Sequence, residues 1–87
     1  MLKAVPLGRN CGLKVSQLCL GTMNFGEPGR GHQGDWTLGI DDARPLFKAA
    51  LDHGLFYFDT ADVYGLGATE RVVGQLLREL LPRDEYV

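Results

Sequence analysis

An unbroken run, Leu55-Phe56-Tyr57-Phe58, ends directly on an acid, Asp59, and stands between two segments of helical periodicity. A short continuous apolar run reads as a strand buried on both faces. Upstream, Ala43, Leu46, Phe47, Ala50 and Leu51 form one apolar stripe. Downstream, Val72, Val73, Leu76, Leu77, Leu80 and Leu81 form a second, opposite Arg71, Gln75, Arg78 and Glu79. Helices alternating with strands bury both only by pairing the strands in parallel through right-handed crossovers. The chain is therefore α/β, and Asp59 sits where its strand leaves the core.

Local signals place the other boundaries. Lys3 to Val5 and Leu13 to Val15 flank a Gly/Asn cluster and predict a β-hairpin. Gln17 to Leu20 reads as a strand ending at Gly21-Thr22-Met23. Asp41-Asp42 supplies an N-cap, and Pro45 is tolerated only in a first turn, so the first helix should begin close to Asp42. His53 falls in its last turn and Gly54 at C′. In the second helix Gly74 costs about 1 kcal/mol, which a close packing contact would explain. Pro82 stops that helix, Arg83-Asp84-Glu85 is a polar turn, and Tyr86-Val87 begins another strand. Between Asn24 and Ile40 no periodicity survives. A loop of that length is usually functional or disordered. Two βα units and a begun third strand do not close a sheet, so the chain reads as the opening portion of a larger fold.

Composition removes several function classes. A net charge of −2 with nine Lys+Arg leaves no electrostatic footprint for nucleic acid or an anionic membrane. No apolar run approaches the roughly 20 residues of a bilayer span. The first residues lack the long apolar region of a signal peptide, which points to the cytoplasm. Cys11 and Cys19 have neither metal nor redox spacing; Cys19 reads as a small core residue and Cys11 as a turn residue. Gly29-Arg30-Gly31-His32-Gln33-Gly34 matches G-x-G-x-x-G by letter, but no strand precedes it and no helix follows, so it reads as loop.

Asp59 and Tyr64 place an acid and a phenol at the C-terminal mouth of parallel strands, where barrel enzymes build their chemistry. Both also have structural readings: the acid accepting turn N–H groups, the phenol packing. A Tyr with an unperturbed pKa of about 10 needs a neighbouring cation to exchange a proton near neutrality. Lys3 and Lys14 belong to the hairpin, Lys48 to a helix, and His53 to the opposite rim. His32, in the long loop, is within reach of the mouth. Phe25 and Trp36 either line an apolar substrate pocket or anchor the loop, with Met23 packed beneath one of them.

Taken together, these residues resemble the aldo-keto reductase superfamily. Pro6-Leu7-Gly8-Arg9 and Gly12-Leu13-Lys14-Val15-Ser16 are similar to its opening hairpin, which plugs the barrel bottom. Leu20-Gly21-Thr22-Met23-Asn24-Phe25-Gly26 is similar to its first strand and loop. Ala49-Ala50-Leu51-Asp52-His53-Gly54 followed by Phe58-Asp59-Thr60-Ala61-Asp62-Val63-Tyr64-Gly65 is similar to its signature segment. Glu70-Arg71-Val72-Val73-Gly74 is similar to the start of its second barrel helix.

The resemblance implies the N-terminal part of a (β/α)8 barrel, one partial domain over residues 1–87, with the hairpin over 1–16 and the first βα units over 17–87. It implies NADPH-dependent reduction of aldehydes or ketones. Tyr64 would donate the proton and Asp59 would hold a Lys. Gly21, Thr22 and Met23, with Asp59, would lie by the nicotinamide ribose, and Asn24, Phe25 and Trp36 would border the substrate. No metal is implied. The expected partners are a small carbonyl compound and the remainder of the barrel, which supplies the Lys and His; residues 1–87 alone are expected to be inactive. The rival expectation is a non-catalytic fragment that self-associates through open sheet edges.

Overall fold

A computed structural model describes residues 1–31 and 33–87. His32, named above as a residue within reach of the mouth, lies outside the described residues. Strands β1 (Ala4–Pro6) and β2 (Lys14–Ser16) form the antiparallel hairpin, with Val5 opposite Val15. Its turn closes through Leu7 N–H to Leu13 O at 2.9 Å, and Cys11 lies exposed at that turn.

The next strand, β3, covers Leu20–Gly21 and not the expected Gln17 to Leu20. The reason lies in where the preceding polar groups go. Gln17 N–H donates to Lys3 O (2.9 Å), and the Ser16 hydroxyl donates to Leu18 O (2.7 Å) while accepting Phe56 N–H (3.2 Å). Residues 16–19 are thus a bend joining hairpin to sheet. Cys19 is carried to the surface by that bend, contrary to its reading as a core residue.

Helix α1 spans Ile40–Asp52 and starts before the position that Pro45 suggested. Gly39, in extended conformation, is the N-cap and makes no side-chain cap. Asp41 and Asp42 lie in the first turn, where their charge favours the helix dipole. Pro45 is tolerated one turn later because the Asp41 carbonyl it fails to pair stands at an exposed position open to water. At the other end Gly54 takes φ +87°, with Gly54 N–H to Leu51 O at 2.9 Å and Leu55 N–H to Ala50 O at 3.0 Å. That double bond is a Schellman stop, and it turns the chain straight into β4 (Phe58–Asp59).

β3 and β4 pair in parallel, Leu20 with Phe58 and Gly21 with Asp59. On the other side of β4, Val87 N–H donates to Phe56 O and Phe58 N–H to Val87 O, both at 2.8 Å. Tyr86-Val87, expected to begin a strand, does not form one among the described residues, but Val87 bonds to the edge of β4 in a parallel pattern. A 3₁₀ turn over Tyr64–Gly67 leads into helix α2 (Ala68–Leu80), and a short 3₁₀ helix (Arg83–Glu85) follows.

The core lies between the helices and one face of the sheet. Phe47 is its centre, fully buried, edge-on to Phe25 (5.0 Å between centroids) and stacked on Phe58 (5.6 Å). Val73, Leu76 and Leu77 of α2 complete it. Leu55 is buried, but Phe56, Tyr57 and Phe58 are half-buried, so the run is fully covered on neither face and not on both as expected. Gly74 also departs from expectation: a Cβ there would meet nothing within 4 Å among the described residues.

Candidate active site

β3 and β4 end at the same rim. Thr22, completely buried, clamps them: its N–H (3.1 Å) and its hydroxyl (2.6 Å) both donate to Asp59 O. The carboxyl-bearing side of Asp59 stays exposed, next to the exposed Gly21. Around Gly21 a Cβ would meet nothing within 4 Å, so the rim beside Asp59 is open. Although Cys19 is exposed, partial desolvation, and secondarily the negative charge of Asp59, pushes its thiol up from its ordinary pKa.

Beyond Asp59 the chain turns. Tyr64 N–H donates to Ala61 O and Leu66 N–H to Val63 O, both at 3.2 Å. Gly65, Leu66 and Gly67 then take φ of +57°, +53° and +93°. Three successive left-handed residues make a tight reversal, and one of them, Leu66, carries a Cβ at a cost of roughly 1–2 kcal/mol. The reversal feeds α2 and leaves Tyr64 half-buried at the rim.

Tyr64 lines a cavity of about 250 Å³ together with Met23, Gln33, Trp36, Val63 and Gly65. Its walls are almost wholly apolar. The structure thus gathers Tyr64, Trp36 and Met23 from three separate stretches. It does not bring Asn24 or Phe25 into the lining. Phe25 is buried against Phe47, and the Asn24 carbonyl accepts Leu38 N–H at 2.8 Å. Of the two readings for the loop aromatics, anchoring holds for Phe25 and cavity wall for Trp36. Met23 lines the same cavity as Trp36. Asp59, Gly21 and Thr22 belong to the adjoining rim. Among the described residues no Lys or His lines the cavity, and no group of three or more His, Cys, Asp or Glu is placed to hold a metal. No helix of the described residues is long and apolar enough to cross a membrane.

Three lining residues escaped the sequence reading, Val63, Gly65 and Gln33. The signal for Gln33 is a pair of glycines. A Cβ at Gly26 or at Gly65 would stand 2.3 or 2.2 Å from Gln33 Oε1, so both glycines make way for one amide.

The fold thus defines an α/β protein with an acid at a parallel-strand rim and a phenol over an apolar cavity. Residues 17–87 match the model of the aldo/keto reductase family, and the chain belongs to that family. Its relatives include an aldo-keto reductase of Fusarium vanettenii, 39% identical over 79 residues, which are 90% of this chain and 20% of that protein. Aldo-keto reductase AMT2 of Alternaria alternata is 42% identical over 79 residues, 90% of this chain and 21% of that protein. Versiconal hemiacetal acetate reductase of Aspergillus parasiticus is 40% identical over 77 residues, 87% and 22%. The chain spans about a fifth of the length of these relatives.

Proposed function

We propose that these residues form the opening part of a (β/α)8 barrel that reduces aldehydes or ketones to alcohols with NADPH. The observation that carries the reading is the meeting of Tyr64, Met23 and Trp36 around one apolar cavity beside the open rim at Asp59. Each residue then has a task set by its surroundings. Tyr64 donates the proton from its hydroxyl to the carbonyl oxygen. Asp59 presents a carboxylate at the strand end to hold and orient the Lys contributed by the rest of the barrel. That Lys lowers the cost of leaving a phenolate at Tyr64. Trp36, Met23 and Val63 take the hydrocarbon part of the substrate and keep water from the reacting oxygen. This lining favours a carbonyl carrying an apolar substituent.

The rim fits a nicotinamide ribose. Gly21 leaves it uncrowded, and Thr22 commits its hydroxyl to Asp59 O and so fixes the rim's backbone. Asp59, Gly21, Thr22 and Met23 are the residues of this chain that would hold the cofactor. When bound, it supplies the hydride.

The test is NADPH oxidation over a panel of aldehydes by the native protein that carries this chain, alongside its Tyr64→Phe variant. Loss of the hydroxyl should lower kcat by about 10²-fold or more. Unchanged turnover in the variant would remove Tyr64 from the mechanism.

A further inference from the structure

We propose that Gln33 is a positioning residue for this site: its buried side-chain amide sets where the Met23–Trp36 wall stands relative to Tyr64. The inference rests on the reductase reading for its kinetic consequence and on geometry for everything else. Gln33 is 4% exposed, in a glycine-rich loop with little apolar content to hold it. Burying an amide is costly unless its hydrogen bonds are met. Here every polar atom is used. The two Nε2 hydrogens are shared among three acceptors, Met23 O (2.9 Å), Phe25 O (3.0 Å) and Thr69 Oγ1 (2.9 Å), and Oε1 accepts Glu27 N–H (3.0 Å). Thr69 donates in turn to Phe25 O.

These partners belong to three different segments. Met23 and Phe25 are the exit of β3, Glu27 is in the loop, and Thr69 is in the first turn of α2, directly after the reversal that carries Tyr64. One side chain therefore ties the substrate wall to the phenol's own turn. The two glycines described above bracket it, and Gly65 is the neighbour of Tyr64 in sequence. Trp36 is fixed from the same point. Thr37 N–H closes on Gly34 O (3.0 Å), and a Cβ on Gly34 would stand 3.0 Å from Trp36 Nε1, so the indole folds back over the residue after Gln33. Reacting groups must be held to within about an ångström for full rate, and Gln33, together with the Thr69 hydroxyl, joins the exit of β3 to the start of α2.

The test compares Gln33→Met and Gln33→Glu with the unaltered native protein. At pH 8 both variants should lose about ten-fold or more in kcat, and their KM for an aryl aldehyde should rise more than for a short one. NADPH affinity should stay within about two-fold, because the rim at Asp59 is held separately by Thr22. As the pH is lowered to 6, the ratio of Gln33→Glu to unaltered activity should recover. A carboxyl facing two carbonyl oxygens is desolvated, holds its proton at raised pKa and regains a donor. Gln33→Met should not recover. Dividing by the unaltered protein's rate removes the titration of groups common to both, including Glu27 and Arg30 on the loop, Tyr64 on the turn and Glu70 and Arg71 on α2. Unaltered kinetics in Gln33→Met, or parallel pH profiles for the two variants, would overturn the proposal. Loss of a cooperative melt in both would overturn it too, by making Gln33 a scaffold residue. If the unaltered protein reduces no aldehyde, the reductase reading falls by itself. Trp36, the single tryptophan, then decides the positioning: its emission should shift to the red in Gln33→Met and revert with acid in Gln33→Glu, and unchanged emission in both would refute it.

Discussion

Gly54 shows how much one residue carries. Its φ of +87° lets α1 stop and the chain turn back toward β4. A Cβ would also come within 2.7 Å of Met1 Cγ and 3.3 Å of the Leu2 backbone. The Met1 side chain can swing aside, but Leu2 N–H is bonded to His53 O at 2.7 Å and cannot. Gly54→Ala should therefore destabilise the fold by about 1–2 kcal/mol, read as a lower urea midpoint with an unchanged slope. Position Gly54 was legible because a glycine at the end of an apolar stripe has few other uses. Tyr64 was legible because it follows a strand at a fixed distance. Phe25 and Trp36 were not separable: both are aromatics in one aperiodic loop, and only the bridge between Phe25 and Leu38 decides which one turns inward. Gln33 left no trace in periodicity, because a polar residue in a loop is ordinarily solvated and its burial depends on carbonyls brought from elsewhere.

Among elements, the helices and the hairpin were readable, and the bounds of the parallel strands were not. α1 and α2 announce themselves by stripes repeated over several turns. β3 and β4 have two residues each, too few for a pattern, and their bounds follow from hydrogen bonds made by Ser16, Gln17 and Thr22. The helices are joined across their exposed side by Arg44, which bonds Glu79 through Nε (3.0 Å) and its second guanidinium nitrogen (3.2 Å), and also Asp41 (3.0 Å). The Arg44 hydrogen bonds hold the Glu79 carboxyl below its ordinary pKa, and Arg44 itself is shifted up, chiefly by Glu79. A depressed acid stabilises the fold above its unfolded pKa, and that contribution is lost as the pH falls through the folded one. The melting temperature should thus fall on acidification below the usual glutamate range. In Glu79→Gln the acid-side slope should be shallower and the neutral-pH value slightly lower. Because the pair is open to solvent, about 1 M salt should shrink the difference; a slope identical in both proteins would remove the bridge from the stability of the helix pair.

At the scale of the whole molecule, the described surface is larger than its mass requires. It exposes 5639 Å², against about 5,100 Å² from the scaling for a compact chain of this mass. The radius of gyration is 13.4 Å with a long axis of 41 Å, where about 12 Å would be ordinary. The excess has identifiable sources. β3 has a partner on one side alone among the described residues, the far face of the sheet is half covered, and Leu7, Leu13 and Leu18 stand out from the hairpin and its bend. Unpaired strand edges flanked by apolar side chains recruit other strands. Residues 1–87 prepared by themselves should therefore associate as their concentration rises, and should bind NADPH weakly, since Gly21, Thr22, Met23 and Asp59 offer one short rim. Light scattering with an NADPH fluorescence titration reads both quantities in one series. Leu18→Lys, at a position 57% exposed, should reduce the association without changing the helical signal, because the charge blocks the approach and removes no buried contact. A monodisperse monomer that binds NADPH tightly would mean that the open rim and edge are sufficient as they stand, and that this stretch recognises the cofactor without the further strands assigned to it above.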